Sequence, residues 1–269
     1  MAQPKIVRGL LRGLDVLKAL NENNYATVLQ LSKTTRLPRA TIYRLLDTLI
    51  QAGYVVHGGR KDTYRLTIRV RALSDGFNDD AWVTEVASPI LAELGRKIVW
   101  PTDIATFERD AMVIRETTGP TSPLSINREK AGFRAPVLVT ALGRAYLAYC
   151  SESEREIALH NIASSDMSDA PLAKKRAVVE RILRETRTRG YGWREGGISP
   201  KTGSIAVPVI VGSKVIACIN IHYILSALSL DEVVKRYLAP MREAAEAIAR
   251  ALVEGHYAVD TADRIASAA

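Results

Sequence analysis

Four histidines and two cysteines are all the imidazole and thiol that this 269-residue chain offers. His57, His160, His222 and His256 are isolated from one another, and Cys150 and Cys218 are spaced neither as a redox pair nor as a zinc knuckle. Cys218 and His222 stand four positions apart in a strand-like run, roughly 13 Å at ~3.3 Å per residue, too far to share one metal ion. There is no G-x-S-x-G elbow, H-E-x-x-H pair or phosphate loop, and Gly196, Gly197 and Gly203 lack dinucleotide spacing. The expectation is no catalytic residue, no metal and no cofactor, with both thiols buried.

Two other constellations carry recognisable chemistry. In the run 215–223, a period of two puts Cys218, Asn220 and His222 on one face, opposite Ile219, Ile221 and Tyr223. Such a polar row in an apolar strand predicts a lined cavity, the alternative for His222 being a core histidine with its hydrogen bonds satisfied. In the helical run after Pro38, an inward face of Ile42, Leu45, Leu46 and Leu49 turns Ala40, Arg44, Asp47 and Gln51 outward, flanked by Thr41, Tyr43 and Thr48. A guanidinium for guanine or phosphate, hydroxyls, and a small residue permitting close approach are what a DNA recognition helix needs. Arg36 and Arg39 extend that surface. An ordinary solvated face and a protein-interaction module are the alternatives.

The elements that position these residues follow from pattern. Leu10, Leu14, Leu17 and Leu20 form one stripe of a first helix, Thr27 caps a short second, and the third runs from Pro38 to near Gly53. The β-like runs 54–57 and 63–66 flank a basic tip, Arg60 and Lys61, placed where a wing would track DNA. Three helices and a hairpin predict a winged helix-turn-helix. Charge agrees, since residues 1–74 hold 13 cations against four acids, whereas the rest holds 24 against 25. A compact basic segment on a near-neutral body is the electrostatic footprint of phosphate binding, a merely basic surface being the alternative.

Composition, with 47% hydrophobic and 25% charged residues, is that of a globular protein rather than a disordered or fibrous one. No apolar run approaches the ~18 residues of a membrane span, and the start MAQPKIVRGL has no signal-peptide core, so a cytoplasmic protein without membrane association is expected. The stretch 69–73 predicts a linker helix. Beyond it, hairpin runs 102–107 with 112–117 and 204–209 with 215–223 interleave with helices near 83–97, 142–150, 152–162, 172–188 and 231–253. The overall expectation is an α+β chain with a mostly antiparallel sheet in its second domain. Its divisions are 1–74 for the winged helix-turn-helix, 75–82 for a linker, 83–254 for an effector-binding domain and 255–269 for a tail.

The blocks RGLLRGLDVLKALN, LSKTTRLPRATIYRLLDTLIQAGYV and YRLTIRVRALSDGF resemble the amino-terminal half of the isocitrate-lyase-regulator (IclR) family of transcription factors. VLVTALGRAYLAY and GSIAVPVIVGSKVIACINIHY resemble its effector-binding half, so the resemblance spans residues 7–252. Within the family, WPTDIAT, AMVIRETT and CINIHY are most similar to regulators of aromatic-acid catabolism such as the hydroxyphenylpropionate regulator.

The resemblance implies a GAF-like second domain, double-stranded operator DNA as partner, and a homodimer or dimer of dimers on paired half-sites, with RNA polymerase a further candidate partner. It also implies that an effector carboxylate sits over the helix start at Ala141 and Leu142, where free N–H groups and the helix dipole favour anions. Ser204, Asn220 and His222 match the rest of the family pocket. Arg194, beside Trp193, stands in a loop position where a relative carries an acid; an arginine there suits a carboxylate and a tryptophan an aromatic ring, the alternative being an exposed loop pair. Trp100, Leu138 and Leu142 are candidate apolar walls. The function so implied is control of a catabolic operon by a small, aromatic carboxylic acid. The alternatives are a regulator sensing an aliphatic keto acid or no ligand and, remotely, an enzyme acting on an aromatic acid.

Overall fold

A computed structural model describes residues 7–59, 62–73, 79–125 and 130–254, and the chain divides into two compact units, residues 1–78 and 79–269. The expected tail, 255–269, and the wing tip, Arg60 and Lys61, lie outside the described residues.

In the first unit, α1 (Arg8–Glu22), α2 (Val28–Thr35) and α3 (Arg39–Gln51) precede strands β2 (Val55–His57) and β3 (Thr63–Leu66) and the short α4 (Arg69–Ala72). A two-residue strand, β1 (Ala26–Thr27), joins them in a three-stranded antiparallel sheet of order β1-β3-β2. Thr27 ends β1 and caps α2, its hydroxyl accepting from the Gln30 N–H while the Gln30 side chain accepts from the Thr27 N–H. Arg36, in the left-handed region at φ 58°, closes α2 and starts the turn into α3. Ile42 and Leu46 are fully buried with Val16, Leu20 and Leu31, and Leu45 and Leu49 pack at the edge of that core.

The stripe expected on α1 divides. Val16, Ala19 and Leu20 turn inward, but Leu10 is 64% and Leu14 43% exposed, as are Val7 and Leu11 beside them. Only the second half of the helix has its own unit's core beneath it.

The second unit begins with α5 (Asp79–Trp82), a π-helical turn (Val83–Ala87) and α6 (Ser88–Ile98). Then follow β4 (Thr102–Glu108), β5 (Ala111–Thr117), β6 (Arg134–Ala135), α7 (Ala141–Tyr149), α8 (Glu152–Ala163), α9 (Ala170–Ala173) and α10 (Arg176–Arg189). Strands β7 (Gly192–Glu195), β8 (Thr202–Val211) and β9 (Lys214–Ile224) and helix α11 (Leu230–Val253) complete it. The six strands form one antiparallel sheet of order β6-β5-β4-β9-β8-β7.

Helices cover both faces of that sheet, and the period of two in its strands builds a core on each. Ile104, Ile205, Val207, Ile219, Ile221 and Tyr223 pack with α6 and α11, whereas Ala105, Ala206 and Cys218 pack with α7, α8 and α10. The second set is small for a reason. A Cβ on Gly192 would collide with the Ala141 carbonyl oxygen, so α7 sits on β7 at a distance only glycine allows, and one on Gly143 would meet the Val137 backbone in the turn before the helix.

Gly192→Ala should therefore lower the stability of the second unit by ~1–3 kcal/mol, the range for overpacking a filled interior. Urea unfolding followed by tryptophan emission, with Trp82, Trp100 and Trp193 all in this unit, checks it.

Candidate functional site

The exposed face of α3 is the first candidate. Arg36, Arg39, Ala40, Tyr43, Arg44, Asp47, Thr48 and Gln51 are exposed and Thr41 is half-buried. The Thr48 hydroxyl donates to the Arg44 carbonyl at 2.8 Å. Behind this face, Tyr64 of β3 stacks obliquely on His57. Burial, with Tyr43, Asp47 and Asp62 adding their charge, raises its phenol pKa and keeps it a neutral hydroxyl.

The second candidate is a polar row across the α7 face of the six-stranded sheet. Strand register places Arg194 of β7 opposite Ser204 of β8, and Ser204 opposite His222 of β9. Two residues along β9, Asn220 lies opposite Asp103 of β4, which pairs with Thr117 of β5. Asp103, Arg194, Ser204 and Asn220 are all at least nine-tenths buried.

Hydrogen bonds tie the row together. His222 Nε2 lies 2.8 Å from Asp103 Oδ2 and 3.0 Å from Asn220 Nδ2. The Thr117 hydroxyl donates to Asp103 Oδ1 at 2.6 Å, and the Asp103 N–H donates to Asn220 Oδ1 at 3.0 Å. Burial alone would raise the Asp103 carboxyl, but the hydrogen bonds of His222, Thr117 and Asn220 outweigh it and hold the pKa below the ordinary carboxylate value. Facing a carboxylate, Nε2 serves as the donor, so its approach to the amide nitrogen of Asn220, itself a donor, is a packing contact and not a second hydrogen bond. Nδ1, 3.5 Å from a guanidinium nitrogen of Arg194, is then the acceptor.

Ala141, Leu142, Arg194, Ser204, Asn220 and His222, all expected from sequence, line one cavity of about 30 Å³ with Ile114, Phe133, Pro136, Thr140, Ile198 and Ser199. Thr140 caps α7, its hydroxyl accepting from the Gly143 N–H and its carbonyl from that of Arg144. The N–H groups of Ala141 and Leu142 have no partner among the described residues. The Ser204 hydroxyl is 1% exposed and likewise without a partner. Asp169 Oδ1 and the Tyr223 hydroxyl share that condition, but neither residue lines the cavity.

Three expectations are corrected. Arg194 is not in a loop but on β7, and it is buried; its Nη1 donates to the carbonyls of Gly196 at 2.9 Å and Thr202 at 2.8 Å. Trp193, its neighbour on the strand, packs with the opposite core and under the guanidinium of Arg189, 4.8 Å from its ring centroid, so it cannot stack on a ring held beside Arg194. Trp100 also belongs to the opposite core, and Leu138, though on the α7 side, spends its N–H on Asp169 and does not reach the cavity. The walls are Ile114, Phe133, Leu142 and Ile198.

Both cysteines are buried, and burial pushes the Cys150 thiol up to about 11 and raises that of Cys218 further. Neither is a reactive thiolate at neutral pH. Among the described residues, no group of His, Cys, Asp and Glu could hold a metal ion and no helix is long and apolar enough to cross a membrane.

Comparison with known proteins gives a consistent result. The family description "IclR helix-turn-helix domain" matches residues 9–59, and "Bacterial transcriptional regulator IclR C-terminal" matches residues 79–250. The Pca regulon regulatory protein of Pseudomonas putida is 26% identical, over 87% of this chain and 80% of its own. The HTH-type transcriptional regulator XynR of Escherichia coli K12 is 26% identical, over 92% of this chain and 98% of its own. A solved IclR homolog complexed with 4-hydroxybenzoate, from Microbacterium hydrocarbonoxydans, shares the fold with a TM-score of 0.55 at 22% identity, over 92% of this chain and all of that one.

The polar row predicts a pH dependence. Because the folded-state pKa of Asp103 lies below its unfolded value near 3.8, its contribution to stability is present above that value and lost as pH falls through the folded one. Asp103→Asn should thus flatten the pH dependence of urea unfolding below about pH 4, and a slope equal to that of the unmodified protein would refute the assignment.

Proposed function

Because the chain belongs to the IclR family and is a DNA-binding transcriptional regulator rather than an enzyme, we propose that it controls a catabolic operon in response to a small aromatic carboxylic acid bound in the second unit. The observation that carries this reading is the Ser204 hydroxyl, buried without a partner beside two free N–H groups at the start of α7. A buried polar group left unsatisfied costs ~1–3 kcal/mol, and an anion over a helix N-terminus accepts from such donors. The 4-hydroxybenzoate held by a structural homolog supports an aromatic acid. An aliphatic keto acid is the second reading, favoured by a cavity of about 30 Å³ where drug-sized pockets start at ~300 Å³.

In this reading His222 accepts from a ring hydroxyl through Nδ1, because its donor nitrogen is held by Asp103. Calorimetric titration against a panel of aromatic and keto acids, beginning with 4-hydroxybenzoate, tests it. Ser204→Ala should weaken the preferred acid by roughly 10- to 150-fold, equivalent to ~1.5–3 kcal/mol for a hydrogen bond to a charged group, and His222→Ala, whose partner is a neutral hydroxyl, by roughly 2- to 13-fold, equivalent to ~0.5–1.5 kcal/mol. Unchanged binding in both variants would place the effector elsewhere.

For DNA, exposed Arg44 of α3 is the base or phosphate reader. Arg44→Ala should cost ~1–3 kcal/mol of operator affinity in a gel-shift titration at fixed salt. If affinity were kept and only its salt slope fell by about one, Arg44 would be a phosphate contact instead. The uncovered apolar half of α1, Val7, Leu10, Leu11 and Leu14, is the surface proposed to pair two copies on adjacent half-sites. Light scattering of the full chain at micromolar concentration decides between dimer and monomer.

A further inference from the structure

Apart from the cavity beside Ser204, the second unit has a larger recess whose walls hold two opposite charges that do not meet. A groove of about 540 Å³ runs between α6 and the end of β5 with the turn after it, inside the ~300–1,000 Å³ of small-molecule sites. Leu91, Ala92, Val99 and Pro123 make it largely apolar, and its two charged lining residues are Glu116 and Arg96. Exposed Arg96 has no ion-pair partner among the described residues. Half-buried Glu116 accepts from the Ser88 hydroxyl at 3.1 Å on one oxygen and from the Thr117 N–H at 2.9 Å on the other, but it too has no ion-pair partner among them. The hydroxyls of Thr117 and Ser122 donate to Asp103 and to the Val99 carbonyl, and those of Thr118 and Thr121 are likewise engaged. Two charges are therefore what the groove offers a ligand.

Glu116 reaches the groove through an irregularity of the sheet. Ile104 pairs with Glu116 but Ala105 pairs with Ile114, so Arg115 is an extra residue in β5. Without that bulge, strand alternation would turn Glu116 to the α7 face beside Ile114. With it, Glu116 shares the α6 face with Ile104, and Thr117 comes opposite Asp103. Bulges re-aim side chains in this way next to functional sites. A second irregularity stands at the other end of the groove. Val99 closes α6 in the left-handed region at φ 69°, which is rare for a β-branched residue. The Ser122 hydroxyl holds it there, donating to its carbonyl at 2.7 Å, while its N–H donates to the Gly95 carbonyl. Strained backbone of this kind gathers at ligand sites, where the surroundings keep it in place.

We propose that the groove is a second ligand site, which takes a free amino acid with an apolar side chain: its ammonium on Glu116, its carboxylate on Arg96, its side chain along Leu91, Ala92 and Val99. A carboxylate has room for about four hydrogen bonds and Glu116 receives two, so an ammonium finds acceptor positions open. A guanidinium meets a carboxylate with two parallel N–H donors. The spacing agrees. Ser88, whose hydroxyl bonds Glu116, and Arg96 are eight residues apart on α6, about 12 Å along its axis, a length that two charged side chains and an amino acid between them fill. A ligand with a single charge leaves one wall residue unanswered, so the site selects zwitterions. None of this depends on the acid-sensing reading.

Calorimetric titration of the full chain with L-leucine and with L-phenylalanine tests the proposal, the amide of each, which keeps the ammonium and loses the carboxylate, serving for comparison. At least one amino acid should bind with a Kd in the millimolar range or tighter, and its amide should bind roughly tenfold or more weakly. Glu116→Gln should weaken the amino acid by roughly 10- to 150-fold. Arg96→Ala, at an exposed position, should weaken the amino acid by a similar factor and leave the amide unchanged, a split that a merely structural role for Arg96 would not produce. Ala92→Trp, also exposed, should fill the groove and abolish binding. No saturable binding of either amino acid up to about 10 mM would overturn the proposal, as would an amide that binds as tightly as its amino acid, or an affinity that survives Arg96→Ala or Ala92→Trp. If Glu116→Gln fails to fold, those two variants decide. A calorimetric panel in which no aromatic or keto acid binds would end the acid-sensing reading and leave these results untouched.

Discussion

The close seat of α7 on the six-stranded sheet is the constraint on which the cavity depends. Gly192 on the edge strand removes the Cβ that would hold the two apart, Gly143 in the helix lets the preceding turn at Val137 lie close against it, and Ala105, Ala206 and Cys218 keep the middle of that face low. The start of α7 therefore comes down directly onto the polar row. Arg144 fixes the approach, donating to the Leu138 carbonyl at 2.9 Å and to the Trp193 carbonyl at 2.6 Å, and so ties the turn before α7 to β7. Asp169 holds the same turn from the other side through the Leu138 N–H. A larger residue at any of these contacts would lift the helix dipole away from Ser204 and His222, and the row would become an ordinary buried polar cluster.

Such a row is expensive to bury, and its order reflects that cost. An isolated carboxylate taken out of water is strongly destabilising unless paired and hydrogen-bonded. Asp103 is hydrogen-bonded on both oxygens, by His222 on one and Thr117 on the other. Pairing across five strands fixes each side chain against the next, so the imidazole presents one defined nitrogen toward Arg194 and the cavity. Antiparallel register supplies this alignment at no extra cost, because residues directly opposite one another on a sheet face are neighbours whatever their separation in sequence. That is how Arg194, Ser204 and His222 meet.

Much of this was legible in the sequence, for physical reasons that also explain what was not. Long elements with strong period, such as α3, β8, β9 and α11, announce themselves, and the alternation of Cys218, Asn220 and His222 with Ile219, Ile221 and Tyr223 divides the two cores correctly. Strands β1, β6 and β7, with two to four residues each, are too short to carry a period. Missing β7 turned Arg194 and Trp193 into a loop pair sharing one environment, when strand geometry sends them to opposite faces. Asp103 went unnoticed for a different reason: an acid in the strand TDIATFE reads as a polar exposed position until the partner across the ladder is known. Its signal was present in the apolar neighbours Ile104 and Ala105. The stripe of α1 was legible as a face, but the exposure of Leu10 and Leu14 was not, because amphipathic spacing does not specify what covers a face.

The cavity's two oddities, its small volume and its unsatisfied hydroxyl, have a single physical origin. A structure selected only for stability would fill about 30 Å³ with a methyl group or replace Ser204 by alanine, since an apolar residue of similar shape removes the unpaired group altogether. Retaining the serine instead keeps a buried hydroxyl without a partner beside the start of α7, among the described residues. That choice lowers stability unless a group in the cavity accepts from the hydroxyl. On the acid-sensing reading, a ligand that does so recovers the difference as binding free energy, and the response of the second unit is built from what the site itself leaves unsatisfied.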